Sequence, residues 1–213
     1  MSTPPVADLK ALDREGRGLR VVFERAGDSY LQTLSAVVNG DEAPLLVANP
    51  SPPFQEVVSS VQRDWAGFTA VRPSEWPALL LTGSGDQRYW SAGVVALSDA
   101  KLALLSFDFA CRLGRNAALP QVVFDAAQGV DVVLSGDDGD EDPSITLTLS
   151  NGLQFNLWAA NRSVSDDPEV ENQPTCRLRL DQSQIIVDPV GAPYFATGST
   201  VQWCFEIALK RDG

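Results

Sequence analysis

The sequence predicts an all-β protein built as an antiparallel β-sandwich, and three observations carry that prediction. Apolar and polar residues alternate with period two: Val201, Trp203, Phe205, Ile207 and Leu209 fall on one strand face, and Cys204, Glu206 and Lys210 on the other. Turn residues separate such runs at short intervals, as Ser150-Asn151-Gly152 does between Ile145–Leu149 and Leu153–Trp158. The 213 residues include 16 glycines and 14 prolines with 44% hydrophobic residues, enough for many turns and a real core.

The segments follow in order. Residues 1–18 read as an N-terminal extension, in which Pro4–Arg14 is predicted as a short helix capped by Ser2 or Thr3. The sandwich is expected over 19–213. Ala26-Gly27-Asp28 joins strands Leu19–Arg25 and Tyr30–Val38, and residues 39–53 form an irregular, proline-rich loop. Phe54, Val57, Val58, Val61 and Trp65 fit a helical stripe opened by Ser51-Pro52-Pro53. Their β-branched content suits a strand as well, so helix and strand stay open for 54–65. Residues 64–77 are a loop. Ser98-Asp99-Ala100 joins Trp90–Leu97 to Leu102–Leu113.

Within that second run Phe107, Phe109, Cys111 and Leu113 share one face, and Asp108, Ala110 and Arg112 the other. Leu113–Pro120 is the best boundary if the chain forms two tandem small sandwiches rather than one enlarged domain. Gln128-Gly129 and Asp181-Gln182 mark further turns, and 135–143 and 163–174 are loops. Asn151-Gly152 is read as a type I′ turn, with both residues at positive φ. About a dozen strands result, the pattern of a sandwich or barrel.

Composition excludes several function classes. The chain has no histidine, so Ser-His-Asp and Cys-His arrangements and most zinc sites are ruled out. Sixteen basic residues against 28 acidic give a net charge of −12, and the basic ones are dispersed except Arg177 and Arg179. A nucleic-acid or anionic-membrane partner would need them clustered, so neither is expected. The N-terminus lacks an apolar secretory core, and no stretch approaches about 20 apolar residues. Three cysteines, Cys111, Cys176 and Cys204, sit widely spaced in apolar settings and read as free thiols of a reducing compartment, so a cytoplasmic location is expected.

Three short patches, Ser51-Pro52-Pro53-Phe54-Gln55, Tyr89-Trp90-Ser91-Ala92 and Phe107-Asp108-Phe109-Ala110-Cys111-Arg112, resemble motifs of uncharacterised hypothetical bacterial proteins. The resemblance implies a free-standing bacterial protein, and no catalytic residue or ligand.

The remaining candidates are few. The run Asp137-Asp138-Gly139-Asp140-Glu141-Asp142 offers oxygens for calcium, but Pro143 replaces the turn glycine of an EF-hand and Leu149 its bidentate glutamate, so no metal is expected. No cofactor motif occurs. Asp108 and Arg112 are about 13 Å apart along a strand, so Glu206 or Arg177 would have to join them across strands. Trp90, Trp158 and Trp203 lie on strands, Trp203 in the core. Trp65 and Trp76 lie in loops with arginines nearby, so Trp65, Arg72, Trp76 and Arg88 are the expected ligand-binding residues, for an anionic or sugar-like group. The expected function is a non-enzymatic binding or interaction protein with a protein or carbohydrate-like ligand. The alternatives are a carbohydrate-active enzyme using a carboxylate pair about 5 to 9.5 Å apart, and a self-associating structural subunit.

Overall fold

A computed structural model of the chain describes residues 7–59, 76–136, 143–160, 176–190 and 197–210. Fifteen strands run in chain order: β1 Ala7–Leu12, β2 Gly18–Ala26, β3 Ser29–Val38, β4 Asp41–Ala48, β5 Phe54–Ser59, β6 Ala78–Gly85, β7 Arg88–Ser98, β8 Ala103–Leu113, β9 Val122–Ala126, β10 Asp131–Ser135, β11 Ser144–Thr148, β12 Gln154–Ala159, β13 Cys176–Asp181, β14 Gln184–Pro189 and β15 Thr200–Leu209. They form two antiparallel sheets. The seven-stranded sheet has the order β1-β2-β3-β4-β9-β14-β13, and the eight-stranded sheet β10-β11-β12-β15-β8-β7-β6-β5. The predicted β-sandwich is the fold, and no helix occurs among the described residues.

Each sheet takes strands from both sides of residues 114–120. That segment carries the chain from β8 in one sheet to β9 in the other, so it does not divide two tandem sandwiches. The apolar faces of the two sheets meet in one core, where side chains of period two interlock. Phe107 stacks on Phe205 at 4.8 Å between ring centres, and Phe109 on Trp203 at 5.5 Å. From the opposite sheet, Phe124 meets Phe205 edge-on at 5.9 Å. These stacks follow from register, because β8 and β15 pair Phe109 with Trp203 and Phe107 with Phe205.

Local expectations change as well. The irregular loop expected over 39–53 is instead mostly strand β4, whose backbone pairs with β3 on one side and β9 on the other. The predicted N-terminal helix is instead edge strand β1, paired with β2 from Ala7↔Phe23 to Leu12↔Gly18. Leu9 and Ala11 face the core while Asp8 and Lys10 face out, so alternation outweighs the helical signal. Arg20 of β2 and Glu42 of β4 then join the charges of β1, with Arg20–Asp8 at 2.9 Å and Lys10–Glu42 at 3.1 Å. The open segment 54–65 is a strand from Phe54 to Ser59, and residues 60–65 lie outside the described ones.

The β11–β12 hairpin forms, but only Gly152 has positive φ there. Asn151 instead accepts a hydrogen bond through its side chain from the Leu153 N–H, at 3.0 Å. Both residues sit left-handed in two of the two-residue hairpins: Asn39-Gly40 between β3 and β4, with φ of 53° and 91°, and Asp86-Gln87 between β6 and β7, with φ of 49° and 59°. This is the geometry that glycine or asparagine would ordinarily supply, and at Asp86-Gln87 it marks a locally costly turn between β6 and β7.

Candidate functional site

The Asp86-Gln87 hairpin stands at one end of the sandwich, and several sequence features meet beside it. The Gln87 carbonyl accepts the Gly114 N–H at 2.7 Å, which ties the hairpin to the exit of β8. The Leu113 carbonyl in turn accepts from Gly198, ahead of β15. Strand register sets Phe54 against Gly83, Gly83 against Trp90, and Trp90 against Cys111. The three patches containing Ser51–Gln55, Tyr89–Ala92 and Phe107–Arg112 are therefore neighbours in space. Gly83 is required there: a Cβ on it would lie 2.0 Å from the Pro53 carbonyl oxygen and 2.7 Å from Phe54 Cα.

The inner face at this end holds polar groups without partners. By alternation Arg88, Trp90, Cys111 and Trp203 all point between the sheets. Arg88 Cζ stands 5.8 Å from the centre of the Trp90 ring, and Trp90 meets Trp203 edge-on at 5.9 Å. Trp90 is 5% and Trp203 1% exposed. Neither indole N–H has a hydrogen-bond partner, and neither does Arg88 Nε. Among the described residues the Arg88 guanidinium reaches outward through Nη2, to Asp86 Oδ2 at 3.3 Å. Its side chain is 17% exposed, whereas Asp86 is 88% exposed and lies in water.

A fourth such group comes from the facing sheet. Gln32 on β3 is 1% exposed, and neither Oε1 nor Nε2 has a partner. Its own N–H donates to Ser51 Oγ at 3.2 Å, in the segment that crosses from β4 to β5 and lays Pro53 against Gly83 and Gly85. Those glycines pair with Trp90 and Arg88. The Gln32 amide thus belongs to the same end of the core. Buried polar groups are ordinarily satisfied, each orphan costing about 1–3 kcal/mol, so four side chains at one end form an unusual concentration.

Cys111 lies within this cluster, completely buried. Burial pushes its thiol up to about 11, with Arg88 pulling only weakly the other way. It is therefore a neutral, unreactive group and brings no negative charge to Arg88, whose ion pair is with Asp86. Cys176 is pushed up to about 12, again by burial first, and its Sγ donates to the Cys204 carbonyl at 3.2 Å.

Of the residues expected to bind a ligand, Arg88 is in this cluster. Trp76 is not. It precedes β6 at the far end of the β6–β7 hairpin, and the first residue of that strand, Ala78, is already roughly 23 Å from the level of Arg88 at about 3.3 Å per strand residue. The two therefore do not share one surface, although Trp76 is exposed. Trp65, Arg72 and the acidic run 137–142 lie outside the described residues. Sequence reading missed Gln32, Trp90 and Trp203 as site residues, since a strand tryptophan facing the core reads as packing. The only sequence signal was the convergence of tryptophan and arginine in Arg88-Tyr89-Trp90.

The outward face of the eight-stranded sheet holds a second arrangement. Register sets Glu206 opposite Ser106 and Trp158, and Cys204 opposite Asp108. Asp108 and Glu206 are thus diagonal neighbours, about 7–8 Å apart. Burial raises the Glu206 carboxyl above its usual range, while hydrogen bonds from Ser106 and Trp158 pull it partly back. Arg177, the other proposed partner of Asp108, is on edge strand β13 of the opposite sheet.

A groove of about 610 Å³ lies between edge strands β10 and β13, walled by Leu134, Pro143, Leu178 and Leu180. No group of metal-ligating side chains occurs among the described residues, and no helix long and apolar enough to cross a membrane occurs among them. Comparison with known proteins returns no matching family model, no similar curated protein and no similar solved structure.

Proposed function

We propose that the protein is a non-enzymatic binding protein and that its ligand site is the Arg88 end of the sandwich. The observation that carries this reading is the set of buried, unpartnered polar groups on Arg88, Trp90, Trp203 and Gln32. A fold gains nothing by burying unsatisfied donors, and strain or lost stability concentrated at one place is the usual mark of a functional site. The Asp86-Gln87 turn, left-handed at two non-glycine residues, adds a second cost at the same end. Nothing in the cluster is a nucleophile or base, since Cys111 is held as a thiol.

The test is a screen of metabolites and glycans by thermal shift on the full chain. A ligand that raises the melting temperature of the wild type but not of Trp90→Phe supports the site. A ligand that stabilises both variants equally places the site elsewhere.

A second reading is favoured by Asp108 and Glu206. A carboxyl raised by burial, diagonal to a second acidic side chain on the same sheet face, is the kind of pair a carbohydrate-active enzyme would need. Turnover of aryl glycosides abolished by Glu206→Gln would establish it. Absence of turnover across α- and β-linked substrates would remove it.

A further inference from the structure

We infer that the Arg88 end of the sandwich takes the carboxylate head of a small organic acid, with the acid's body pointing out past Arg88. This rests on the binding reading above and adds the chemical class of the ligand. The unpartnered set is dominated by donors: Arg88 Nε, the Trp90 and Trp203 indole N–H groups and Gln32 Nε2, against one acceptor, Gln32 Oε1. A guanidinium and an indole can only donate, and an ionised carboxylate can only accept. A sugar hydroxyl would bring its own donors into a site already rich in them. A carboxylate matches the excess, and its two oxygens provide about four acceptor positions for these donors.

Charge leads to the same class. Among the described residues Arg88 is the one charged side chain facing this part of the core, with Cys111 neutral beside it. Asp86 meets only the outer nitrogen of the guanidinium, from a position in water. A monoanion would complete the pairing at Nε, whereas a phosphate dianion would leave a buried surplus of negative charge. The chain's overall charge of −12 opposes any anion, but at physiological salt it is screened beyond about 8 Å, so the adjacent guanidinium governs. The burial gradient sets the direction of approach. Gln32 and Trp203 are each 1% exposed and Trp90 5%, while the Arg88 side chain is the most open of the four.

The experiment follows indole N–H resonances of the full, ¹⁵N-labelled chain. Acetate, benzoate and phenylacetate are titrated at constant ionic strength, with benzamide and benzyl alcohol as neutral counterparts. Trp90→Phe and Trp203→Phe assign the two signals. The carboxylates are expected to move both signals downfield, as hydrogen bonds to a charged acceptor form, and Arg88→Met is expected to weaken binding at least tenfold. Because Arg88→Met could disturb the end of the sandwich, Gln32→Met provides an independent variant in the facing sheet, expected to weaken the same titration.

If the neutral compounds move the two indole signals and the carboxylates do not, the carboxylate class is overturned while the binding site stands. If neither set moves them, both the ligand class and the site are overturned. Shifts confined to the other tryptophans place the acid elsewhere and likewise overturn the inference.

Discussion

Replacing Gln32 by methionine should make this protein more stable, although it removes a polar residue and adds no contact. Gln32 is 1% exposed, and neither its carbonyl oxygen nor its amide nitrogen has a partner. Each buried polar group left unpaired costs about 1–3 kcal/mol. Methionine has nearly the same length and branching, and its flexible thioether adapts to irregular space. It removes both unpaired groups, at some cost in repacking. The backbone N–H of residue 32, which donates to Ser51 Oγ at 3.2 Å, is untouched. A net gain of about 1–3 kcal/mol is expected. For a domain of this size it corresponds to a rise in Tm of roughly 2–12 °C. Urea denaturation should show a higher midpoint at unchanged slope, which separates a stability change from a change in the denatured state. A loss of more than about 1 kcal/mol would refute the reasoning, because it would mean that the Gln32 amide is hydrogen-bonded in solution and the end of the core is polar by water rather than by vacancy of partners.

Other outcomes follow from the same structure. Gly83→Ala should cost about 1–3 kcal/mol, since its Cβ would meet backbone atoms of Pro53 and Phe54, while Gly93→Ala, with nothing within 4 Å, should be neutral or stabilising in the same urea assay. Cys111 and Cys176, with thiols held at about 11 and about 12, should resist alkylation in the native protein and react once it is denatured, as read by mass spectrometry. Asp13 is completely buried and accepts from the N–H groups of Glu15 and Arg17. Desolvation opposes its charge, but those bonds and the Arg17 guanidinium outweigh it and hold the carboxyl below its ordinary 3.8. Its contribution is present above pH 3.8 and lost as pH falls through the lowered value, so Asp13→Asn should cost about 1–3 kcal/mol at neutral pH, with the deficit vanishing in strong acid. Glu206 has the opposite sign. Its carboxyl is raised by burial, so the wild type gains stability relative to Glu206→Gln as pH falls through the raised value toward 4.5, measurable by thermal melts across that range.

Much of the architecture was legible along the chain because sheet periodicity is local. Alternation in 201–210 placed Trp203, Phe205 and Ile207 on the core face, and their burial follows. The same alternation placed Phe107 and Phe109 inward and Asp108 outward on β8. Where two local signals competed, the sheet decided. Residues 7–12 carry helix-compatible side chains, yet the free edge of β2 offers them paired backbone hydrogen bonds and a buried face for Leu9 and Ala11. The Asp86-Gln87 turn had no glycine or asparagine to announce it. It forms because β6 and β7 register fixes a two-residue connection and Gly114 pins the Gln87 carbonyl.

By itself the sequence determined the β-sandwich, the absence of histidine chemistry and the faces of the long strands, all of which depend on composition or on neighbours two residues away. Only the tertiary structure decided the site. Gln32, the Arg88–Trp90 pair and Trp203 are distant in sequence, and sheet order and crossings bring them to one end of the core. Whether a buried donor finds an acceptor depends on which atoms the opposite sheet delivers to it. That is a property of three-dimensional packing, and no spacing along the chain encodes it.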